Sequence, residues 1–399
     1  MPTDASDAPT SEQPDFVSYV GPLIDHGSTL GVSGTAFLRL LVSSGISEVE
    51  VFCPKRNQNS IDKYPIYPAH VHLRESYTEG DPFSELKTII SVLHGKSKSI
   101  LFNMHPTSQG KSALSNLIWI ASAILLSSLR KHVIIIWHNS AFTNDFVKLG
   151  YTGLANRVKA SLLRIIEVIM FRKAKVYVLS DSYRDLINSK VSDGVLALLL
   201  PHIEPIALLD SKNLANVVTF KINQPPEHMI TVHMHGNWGP QKDLDFVLDI
   251  LERVKQRGVT FRLLLTGSIN PNFPGYDRVF WDTVAKHKRI VSEIEIPVST
   301  SRLFDYFSET DIVILPYNTP GGRSGVMDIA SFFKCVVICP PYQEYHEQAA
   351  FYDHVKFATF SQFEDEILAQ LARADFPQTK EIDVRKEVDR SVSMFKRIL

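Results

Sequence analysis

The segment Asp311–Pro341, DIVILPYNTPGGRSGVMDIASFFKCVVICPP, predicts a strand, a glycine-containing loop, a helix and a second strand. Its first residues, Asp311–Pro316, are apolar and β-branched, which is typical of a strand buried in a parallel sheet. The loop Tyr317–Gly322 contains one proline and two glycines, so its backbone can approach a ligand closely. A predicted helix at Gly325–Phe333 and a second apolar run at Cys335–Cys339 complete the unit. The segment therefore indicates an α/β fold with parallel strands.

The start of the predicted helix has the features of an anion-binding site. Ser324 can cap this helix, and the N–H groups of Ser324, Gly325 and Val326 extend from its first turn. A helix N-terminus favours negative charge, and Arg323 beside it can bind a phosphate through two N–H groups. An ordinary strand–helix crossover has the same pattern. The choice between these two interpretations therefore depends on the rest of the chain.

Strands and helices alternate in the same way in both halves of the chain. The pattern weakens between Ile203 and His228, where Pro225-Pro226 interrupts it, and it resumes with a strand at Met229–Met234. We therefore predict an α/β protein with two Rossmann-like domains that face each other across a cleft. The predicted divisions are a disordered tail at 1–15, an N-terminal domain at 16–210, a linker at 211–227, a C-terminal domain at 228–383 and a C-terminal helix at 384–399.

The N-terminal half offers a second glycine-containing turn. A first strand at Phe16–Ile24 is followed by the run HGSTLGVSG, which ends at Gly34, and then by a predicted helix at Thr35–Ser44. The spacing of these glycines differs from that of the dinucleotide-binding fingerprint. We therefore predict only a flexible turn near a substrate, which contains Gly31 and Gly34.

Polar residues follow two of the apolar strands in this half. His138 and Asn139 come directly after the strand Val133–Trp137, and His105 comes directly after the strand Ser99–Met104. Open α/β sheets bind their ligands outside the carboxyl ends of their strands. These three residues are therefore candidate site residues, although a side chain at such a position can also serve only to bind loop backbone.

Two helices of this half have the composition of surface-binding helices. The first, Leu114–Leu129, is long and apolar, and Arg130 and Lys131 follow it. The second, Gly153–Phe171, carries basic residues among leucines and isoleucines, as a helix on an anionic membrane would. Its basic residues, with the two that follow it, are Arg157, Lys159, Arg164, Arg172 and Lys173. A buried helix and an ordinary solvated helix face explain the same two patterns.

Composition narrows the class of protein. A chain of 399 residues suits two domains, and 42 basic against 43 acidic residues create no overall field that would attract nucleic acid. Cys53, Cys335 and Cys339 lack metal-ligand spacing, which indicates reduced thiols in a cytosolic protein. The acidic, polar N-terminus predicts a disordered tail rather than a signal peptide. No apolar segment reaches the roughly 20 residues that a membrane-spanning helix needs.

Seven short motifs follow one another along the chain. The N-terminal half carries IIIWHNS at 134–140, AKVYVLSDS at 174–182 and LLPHIEP at 199–205. The C-terminal half carries HGNWGPQKD at 235–243, LLLTGS at 263–268, DIVILPY at 311–317 and SGVMDIASFFKCVVI at 324–338. The order of these motifs resembles that of the GT-B glycosyltransferases, and most of all glycosyltransferase family 4, over nearly the whole chain after the tail.

The resemblance implies a retaining glycosyltransferase that uses neither a metal ion nor a cofactor. Its C-terminal domain would hold a nucleoside-diphosphate sugar, while its N-terminal domain would bind the acceptor through His105 and Asn139. His138 would face the reacting sugar, and Lys242 and Arg323 would neutralise the leaving diphosphate. The implied donor-binding residues are Gly31, Gly34, Asn237, Gly267, Ser299, Gly322, Ser324, Gly325, Val326 and Asp328.

The chain departs from this family at its acidic positions. The family carries two glutamates separated by seven residues, where this chain has Gly321 and Ile329, with Asp328 one residue out of register. Asn237 stands in place of a basic residue after the first strand of the C-terminal domain. These changes remove contacts to sugar and ribose hydroxyls but leave the diphosphate contacts in place.

Two functions therefore stay open, and a third can be considered among enzymes. The first is retaining transfer of a sugar to a glycan or lipid-linked acceptor. The second is a catalytically silent GT-B module that binds a sugar nucleotide or glycan, or scaffolds a partner enzyme. The third, a sugar-nucleotide epimerase, would need acid–base carboxylates that the sequence does not place. The expected location is the cytoplasm, with no nucleic-acid partner and with a peripheral contact to the cytoplasmic face of a membrane as an open alternative.

Overall fold

A computed structural model describes residues 14–23, 29–55, 68–104, 113–129, 132–138, 140, 142, 154–191, 194–209, 219–223, 229–270, 273–319, 322–373, 376 and 379–399. Within these residues the chain forms a seven-stranded and a six-stranded parallel sheet with helices packed against them, and a small antiparallel sheet of two strands. The predicted α/β class with two Rossmann-like halves is therefore confirmed.

The first sheet lies in the N-terminal half. Its strands are β1 (Phe16–Val20), β2 (Glu48–Pro54), β3 (Val71–Tyr77), β4 (Ser99–Met104), β5 (His132–Trp137), β6 (Lys175–Val178) and β7 (Val195–Ala197). The helices are α1 (Thr29–Ser43), α2 (Pro82–His94), α3 (Ala113–Ser128), α4 (Leu154–Lys173), α5 (Asp181–Lys190) and α6 (Ile203–Leu208). The strand order is β3-β2-β1-β4-β5-β6-β7. Because the order reverses between β1 and β4, these strands border a crevice of the kind that binds ligands.

The second sheet lies in the C-terminal half and follows β8 (Thr219–Asn223). Its strands are β9 (Thr231–Trp238), β10 (Arg262–Ile269), β11 (Glu293–Glu295), β12 (Ile312–Ile314), β13 (Val336–Cys339) and β14 (Val355–Phe357). The helices are α7 (Leu244–Gln256), α8 (Tyr276–Lys286), α9 (Thr300–Glu309), α10 (Gly325–Phe332), α11 (Gln343–Ala349) and α12 (Phe363–Leu371). The order β11-β10-β9-β12-β13-β14 reverses between β9 and β12, which creates a second crevice.

The unit predicted from Asp311–Pro341 is present as β12, α10 and β13. The two strands pair in parallel, and their residues are fully buried because both faces of this central part of the sheet are covered. Ser324 caps α10 as expected, since its Oγ accepts a hydrogen bond from the N–H of Met327 at 3.3 Å. The helix is buried on almost every side, which explains its apolar composition.

The end of the chain returns to the N-terminal half. Strand β15 (Thr379–Asp383) pairs antiparallel with β8, which lies inside the segment predicted as a linker. The last helix, α13 (Val384–Lys396), packs on α1, where the rings of Phe395 and Phe37 stack with centroids 5.9 Å apart. The Oγ of Ser391 also donates to the carbonyl of Pro201 at 2.8 Å. The domain limits derived from the sequence stay predictions.

The two helices with surface-binding composition are α3 and α4, close to their predicted limits. Of the helices in the described part of the chain, none combines the length and the apolar character that crossing a membrane requires.

Candidate functional site

The crevice of the second sheet is closed at its base by two loops that bind each other. The loop after β9 and the loop after β12 meet where Lys242 and Tyr317 form an isolated antiparallel bridge. On either side of this bridge, the N–H of Asp243 donates to the carbonyl of Pro316 at 2.7 Å, and the N–H of Asn318 donates to the carbonyl of Gln241 at 3.0 Å. The backbone on both sides of the crevice is therefore fixed before any ligand arrives.

The side chain of Lys242 lies buried in this crevice, with only 3% of the residue exposed. Its Nζ donates to the carbonyl of His235 at 3.2 Å and lies 5.2 Å from the ring centre of Trp238 and 5.0 Å from that of Tyr317. Burial lowers the pKa of Lys242 from its ordinary 10.5 to about 7. Since an ammonium has three N–H donors, two of them remain for an anion.

Two glycines leave room beside this lysine. Gly236 has φ +147° and Gly267 has φ +126°, and they pair across β9 and β10. A Cβ on Gly236 would lie 1.6 Å from Nζ of Lys242, and one on Gly267 would lie 1.9 Å from the carbonyl oxygen of Gly236. Both positions therefore require glycine. Of the two, only Gly267 was predicted as a site residue, although a glycine such as Gly236 near the end of an apolar strand is a signal of close backbone approach.

The N-terminus of α10 comes close to the same point. The Cβ position of Gly236 is 3.9 Å from Cγ2 of Val326, in the first turn of this helix. The N–H of Ser324 is not available to a ligand, because it donates to Oε1 of Gln348 at 2.9 Å. Within the described residues no acceptor binds the N–H groups of Gly325 and Val326, which extend from the helix start. The predicted anion site is thus reduced by one donor.

Arg323 and Asp328 form the centre of a buried network that the sequence analysis did not foresee. Nη2 of Arg323 donates to the two carboxylate oxygens of Asp328 at 2.9 and 3.1 Å. The amide of Gln348 and the hydroxyl of Tyr352 also donate to Oδ1 of Asp328. Asp328 itself is 0% exposed. The carboxylate of Asp328 therefore faces the protein interior and orients the guanidinium of Arg323 next to the start of α10. The neighbouring Ile329 lies in the apolar core.

The remaining donor-side candidates lie at the same edge of the sheet or in the loop before α10. Asn237 is exposed on β9, and its Oδ1 accepts from the hydroxyl of Ser268 at 3.3 Å. Ser299 caps α9, where its Oγ accepts from the N–H of Arg302 at 3.4 Å. Gly322 is buried with φ +83°, a conformation that favours glycine. The structure thus gives Ser299 and Gly322 a conformational role, and their contact with a ligand stays a prediction.

His138 follows β5 at the crevice of the first sheet. Its Nε2 lies 2.7 Å from Oδ1 of Asn103, while Nδ2 of Asn103 donates to the hydroxyl of Tyr19 at 3.2 Å. The hydroxyl of Tyr19 in turn donates to the carbonyl of Pro22 at 3.2 Å. This chain of bonds assigns the proton of the neutral imidazole to Nε2 and the lone pair to Nδ1. Asn103 was missed, although a polar residue near the end of the apolar strand SILFNM was a visible signal.

Gly31 and Gly34 lie in α1, which begins at Thr29, so the prediction that they form a turn before a helix at Thr35 is wrong. A Cβ on Gly34 would lie 2.1 Å from the carbonyl oxygen of Pro22 and 2.3 Å from the hydroxyl of Tyr19. Gly34 therefore lets the helix pack directly against the end of β1. Contact of either glycine with a donor stays a prediction.

The two predicted acceptor-binding residues, His105 and Asn139, lie outside the described residues, and so does Gly321, which stands in place of a family glutamate.

A carboxylate from the C-terminal half binds the N-terminal half beside this site. Glu347 on α11 accepts hydrogen bonds from the hydroxyl of Ser180 at 2.7 Å and from the N–H groups of Asp181 and Ser182 at 2.8 and 2.7 Å. The acid therefore caps α5 of the other half and complements the positive end of that helix. This polar contact joins the two halves of the chain, and the sequence did not predict it.

Comparison with solved structures shows a similar arrangement in several glycosyltransferases. A glycosyltransferase from Rickettsia africae is 14% identical over 97% of both chains, with a TM-score of 0.57. HepE from Anabaena, in complex with UDP-glucose, is 11% identical over 96% of this chain and 98% of that chain, with a TM-score of 0.58. The catalytic domain of starch synthase IV from Arabidopsis thaliana, bound to ADP and acarbose, is 12% identical over 96% and 98%, with a TM-score of 0.62.

The chain has the GT-B fold. At 11–14% identity these similarities show the fold alone. No protein-family model matches the sequence, and no curated protein matches it. The activity of this GT-B protein therefore depends on the residues of its two crevices and does not follow from the fold.

Proposed function

We propose that this GT-B protein is a retaining glycosyltransferase that moves a sugar from a nucleoside-diphosphate sugar to a glycan or lipid-linked acceptor. The observation that carries the proposal is the meeting of Lys242 with the N-terminus of α10 at the crevice of the second sheet. Both groups are suited to a diphosphate. Two solved structures of the same fold are described as complexes with UDP-glucose and with ADP and acarbose.

The leaving diphosphate would be stabilised by groups of the protein alone. Lys242 has two N–H donors left after its bond to His235, and the N–H groups of Gly325 and Val326 extend from the helix start nearby. Arg323 adds a second cation next to this helix start. Donors that are fixed before the reaction stabilise developing charge without reorganisation.

His138 would act on the sugar from the other crevice. In this proposal the Nε2 proton is directed at Asn103, and Nδ1 is the ring atom that would accept a hydrogen bond from the substrate. Such an acceptor can bind a sugar hydroxyl and stabilise positive charge as the bond to the leaving group breaks. In this proposal Asn103 and Tyr19 are positioning residues, because they act only through the imidazole.

The second candidate function, a catalytically silent module, is favoured by one observation. The carboxylate of Asp328 already accepts hydrogen bonds from Arg323, Gln348 and Tyr352. It therefore does not replace the two family glutamates, in whose positions this chain has Gly321 and Ile329. Such a protein would bind a sugar nucleotide without transferring the sugar. The two functions are separated by a thermal-shift screen with nucleotide sugars, followed by product formation from radiolabelled donors. Labelled product supports the enzyme, whereas binding without product from any donor and acceptor supports the silent module.

We predict that His138→Ala lowers kcat about a hundredfold or more. The affinity for nucleoside diphosphate should stay nearly unchanged, because the proposed phosphate contacts lie in the other crevice. An interaction made chiefly in the transition state lowers kcat and kcat/KM together. The matched control is His72→Ala, which removes an exposed histidine of the same half that pairs with Glu48. A variant of His138 that folds normally and keeps full activity would remove the residue from the mechanism.

We also predict that activity persists in EDTA. Among the described residues, one cluster has the composition of a metal site, namely Asp245, Asp249 and His287. The Nζ of Lys286 binds its two aspartates at 2.9 and 3.3 Å, which supplies their counter-charge without a metal ion. Transfer should therefore be equal before and after chelation. Loss of turnover in EDTA that Mg²⁺ or Mn²⁺ restores would contradict the metal-free mechanism.

A further inference from the structure

The large apolar side chains that remain exposed are concentrated on one face of the N-terminal half. Of seventeen such residues in the described part of the chain, twelve lie on α2, α3 and α4 or in the turn after α3. They are Phe83, Leu86, Ile90, Leu114, Leu117, Leu125, Leu129, Leu154, Val158, Leu162, Ile165 and Ile169. The two largest exposed fractions among these seventeen residues are 79% for Phe83 and 78% for Leu154, and both residues lie on these helices. Large groups of exposed apolar side chains on one side of a soluble protein usually mark an interaction site.

These side chains form regular stripes. Those of α4 recur every three or four residues from Leu154 to Ile169, so they share one side of this helix. The three helices pack side by side, α2 on α3 and α3 on α4. Their opposite sides supply Val92, Trp119 and Met170 to the core under the sheet. The exposed stripes are therefore additional to the residues that hold the fold together. We call them, with the basic residues beside them, the α2–α4 face.

The charge of the α2–α4 face is of one sign. The basic residues on these helices that are exposed are Lys87, Arg157, Arg164, Arg172 and Lys173. The two acidic residues of the same helices, Glu85 and Glu167, are both buried. Glu167 accepts from the indole of Trp137 at 3.1 Å, and Glu85 accepts from the N–H of Gly80 at 3.0 Å. The net charge of the chain is −1, so the excess of exposed basic residues on these three helices is a local concentration of positive charge.

We propose that the α2–α4 face docks on a membrane surface that contains anionic lipids. Aliphatic side chains enter the boundary between headgroups and acyl chains, and the arginines and lysines beside them bind the lipid phosphates. A layer of three adjacent helices without exposed acids complements a broad anionic surface better than a neutral protein partner.

The docked orientation brings the site close to the lipid. In a βαβ unit the helix runs antiparallel to its strands, so the N-termini of α2, α3 and α4 lie at the carboxyl edge of the sheet. His138 follows β5 at that same edge. The most exposed apolar residues, Phe83 and Leu154, are in the first turns of their helices. Docking does not depend on the proposed activity, but it would favour the lipid-linked class of acceptor.

The test is flotation of the full-length protein with vesicles of phosphatidylcholine alone and with vesicles that also contain phosphatidylglycerol. We expect binding to the anionic vesicles at low salt, and binding at least about tenfold weaker to the neutral ones. Two double variants, Leu162→Gln with Ile165→Gln and Arg157→Gln with Arg172→Gln, should each reduce binding about tenfold or more. Because all four side chains are exposed, melting temperatures should stay unchanged.

The matched control is Arg278→Gln with Val279→Gln, an exposed basic and apolar pair on α8 of the other half. It should leave vesicle binding unchanged. Absence of binding to anionic vesicles at low salt would overturn the proposal, as would full binding by both double variants. A dimer that forms without lipid and is abolished by the Leu162 and Ile165 changes would also overturn it, since a second copy would then cover the face. Glycosyl transfer is measured separately, so failure of docking and failure of the proposed function remain distinct.

Discussion

Replacing Asp328 by alanine should lower the free energy of unfolding by about 3–5 kcal/mol, the usual effect of removing one partner of a buried ion pair. The carboxylate of Asp328 is fully buried and accepts hydrogen bonds from Arg323, Gln348 and Tyr352. Alanine removes the negative charge that compensates the guanidinium of Arg323, a side chain that is only 9% exposed. It also takes away the acceptor of two further donors. The measurement is urea unfolding of parent and variant at neutral pH.

Two further variants make this expectation specific. Asp328→Asn keeps an oxygen acceptor but loses the charge, so its stability should lie between those of the parent and of Asp328→Ala. The matched control, Asp389→Ala, removes an exposed carboxylate whose nearest contact to Arg385 is 3.7 Å, and it should change stability little. Nucleotide affinity should fall in Asp328→Ala, because Arg323 loses the group that orients it. An alanine variant as stable as the parent would show that the network contributes nothing to the fold.

Lys242→Met should weaken nucleoside-diphosphate binding more than about tenfold and, below about pH 7, stabilise the protein. The parent keeps an ammonium in a buried crevice, where its pKa falls from 10.5 to about 7. At 1.36 kcal/mol for each pKa unit, this shift destabilises the folded state by about 4–5 kcal/mol, an upper estimate because the rings of Trp238 and Tyr317 favour the charged form. Methionine has a similar volume and carries no charge, so it removes this cost.

The pH dependence gives a direct check of this explanation. Between about pH 7 and 10.5 the unfolded chain binds more protons at Lys242 than the folded protein does, so this residue makes stability rise with pH. The destabilisation is complete below about pH 7 and is lost as the pH approaches 10.5. The stability difference between Lys242→Met and the parent should therefore narrow steadily across that range. A difference that is independent of pH would contradict the proposed cause.

The affinity for nucleoside diphosphate should also depend on the protonation of Lys242. Because a diphosphate is bound by the protonated amine, the affinity of the parent for UDP or GDP should weaken as the pH rises above about 7, and binding near neutrality should take up a proton. Calorimetric titration in buffers of different ionisation enthalpy measures both effects. Lys242→Met should reduce affinity more than about tenfold. Lys255→Met, which changes an exposed lysine on α7, is the control and should bind as the parent does.

The amino-acid sequence by itself determined the α/β class, the two halves and the ends of the strands that carry the site. Hydrophobic periodicity and glycine or proline punctuation are local properties, so β12, α10 and their connecting loop could be placed from thirty-one residues alone. The same reasoning placed His138 after β5 and Lys242 after β9, because the carboxyl edge of a parallel sheet follows from the strand direction.

Only the tertiary structure decided how those residues are used. Asp328 is held by Gln348 and Tyr352, which lie 20 and 24 residues away along the chain, and His138 is held by Asn103, 35 residues away. Pairing over such distances depends on packing, and a helical or strand period does not encode it. The burial that lowers the pKa of Lys242 arises in the same way, because Trp238 at the end of β9 and Tyr317 in the loop after β12 both pack against its side chain.

For the glycines and the surface helices, too, the sequence showed the local pattern and only the tertiary structure decided its role. Gly34 looked like part of a loop because glycine favours turns, whereas its role is to let α1 approach the end of β1. The amphipathic pattern of α4 was visible in the sequence, but an apolar stripe can face a core as well as a membrane. The fold decides between them, because the sheet is covered by the opposite sides of α2, α3 and α4, and their leucines and isoleucines are left facing outward.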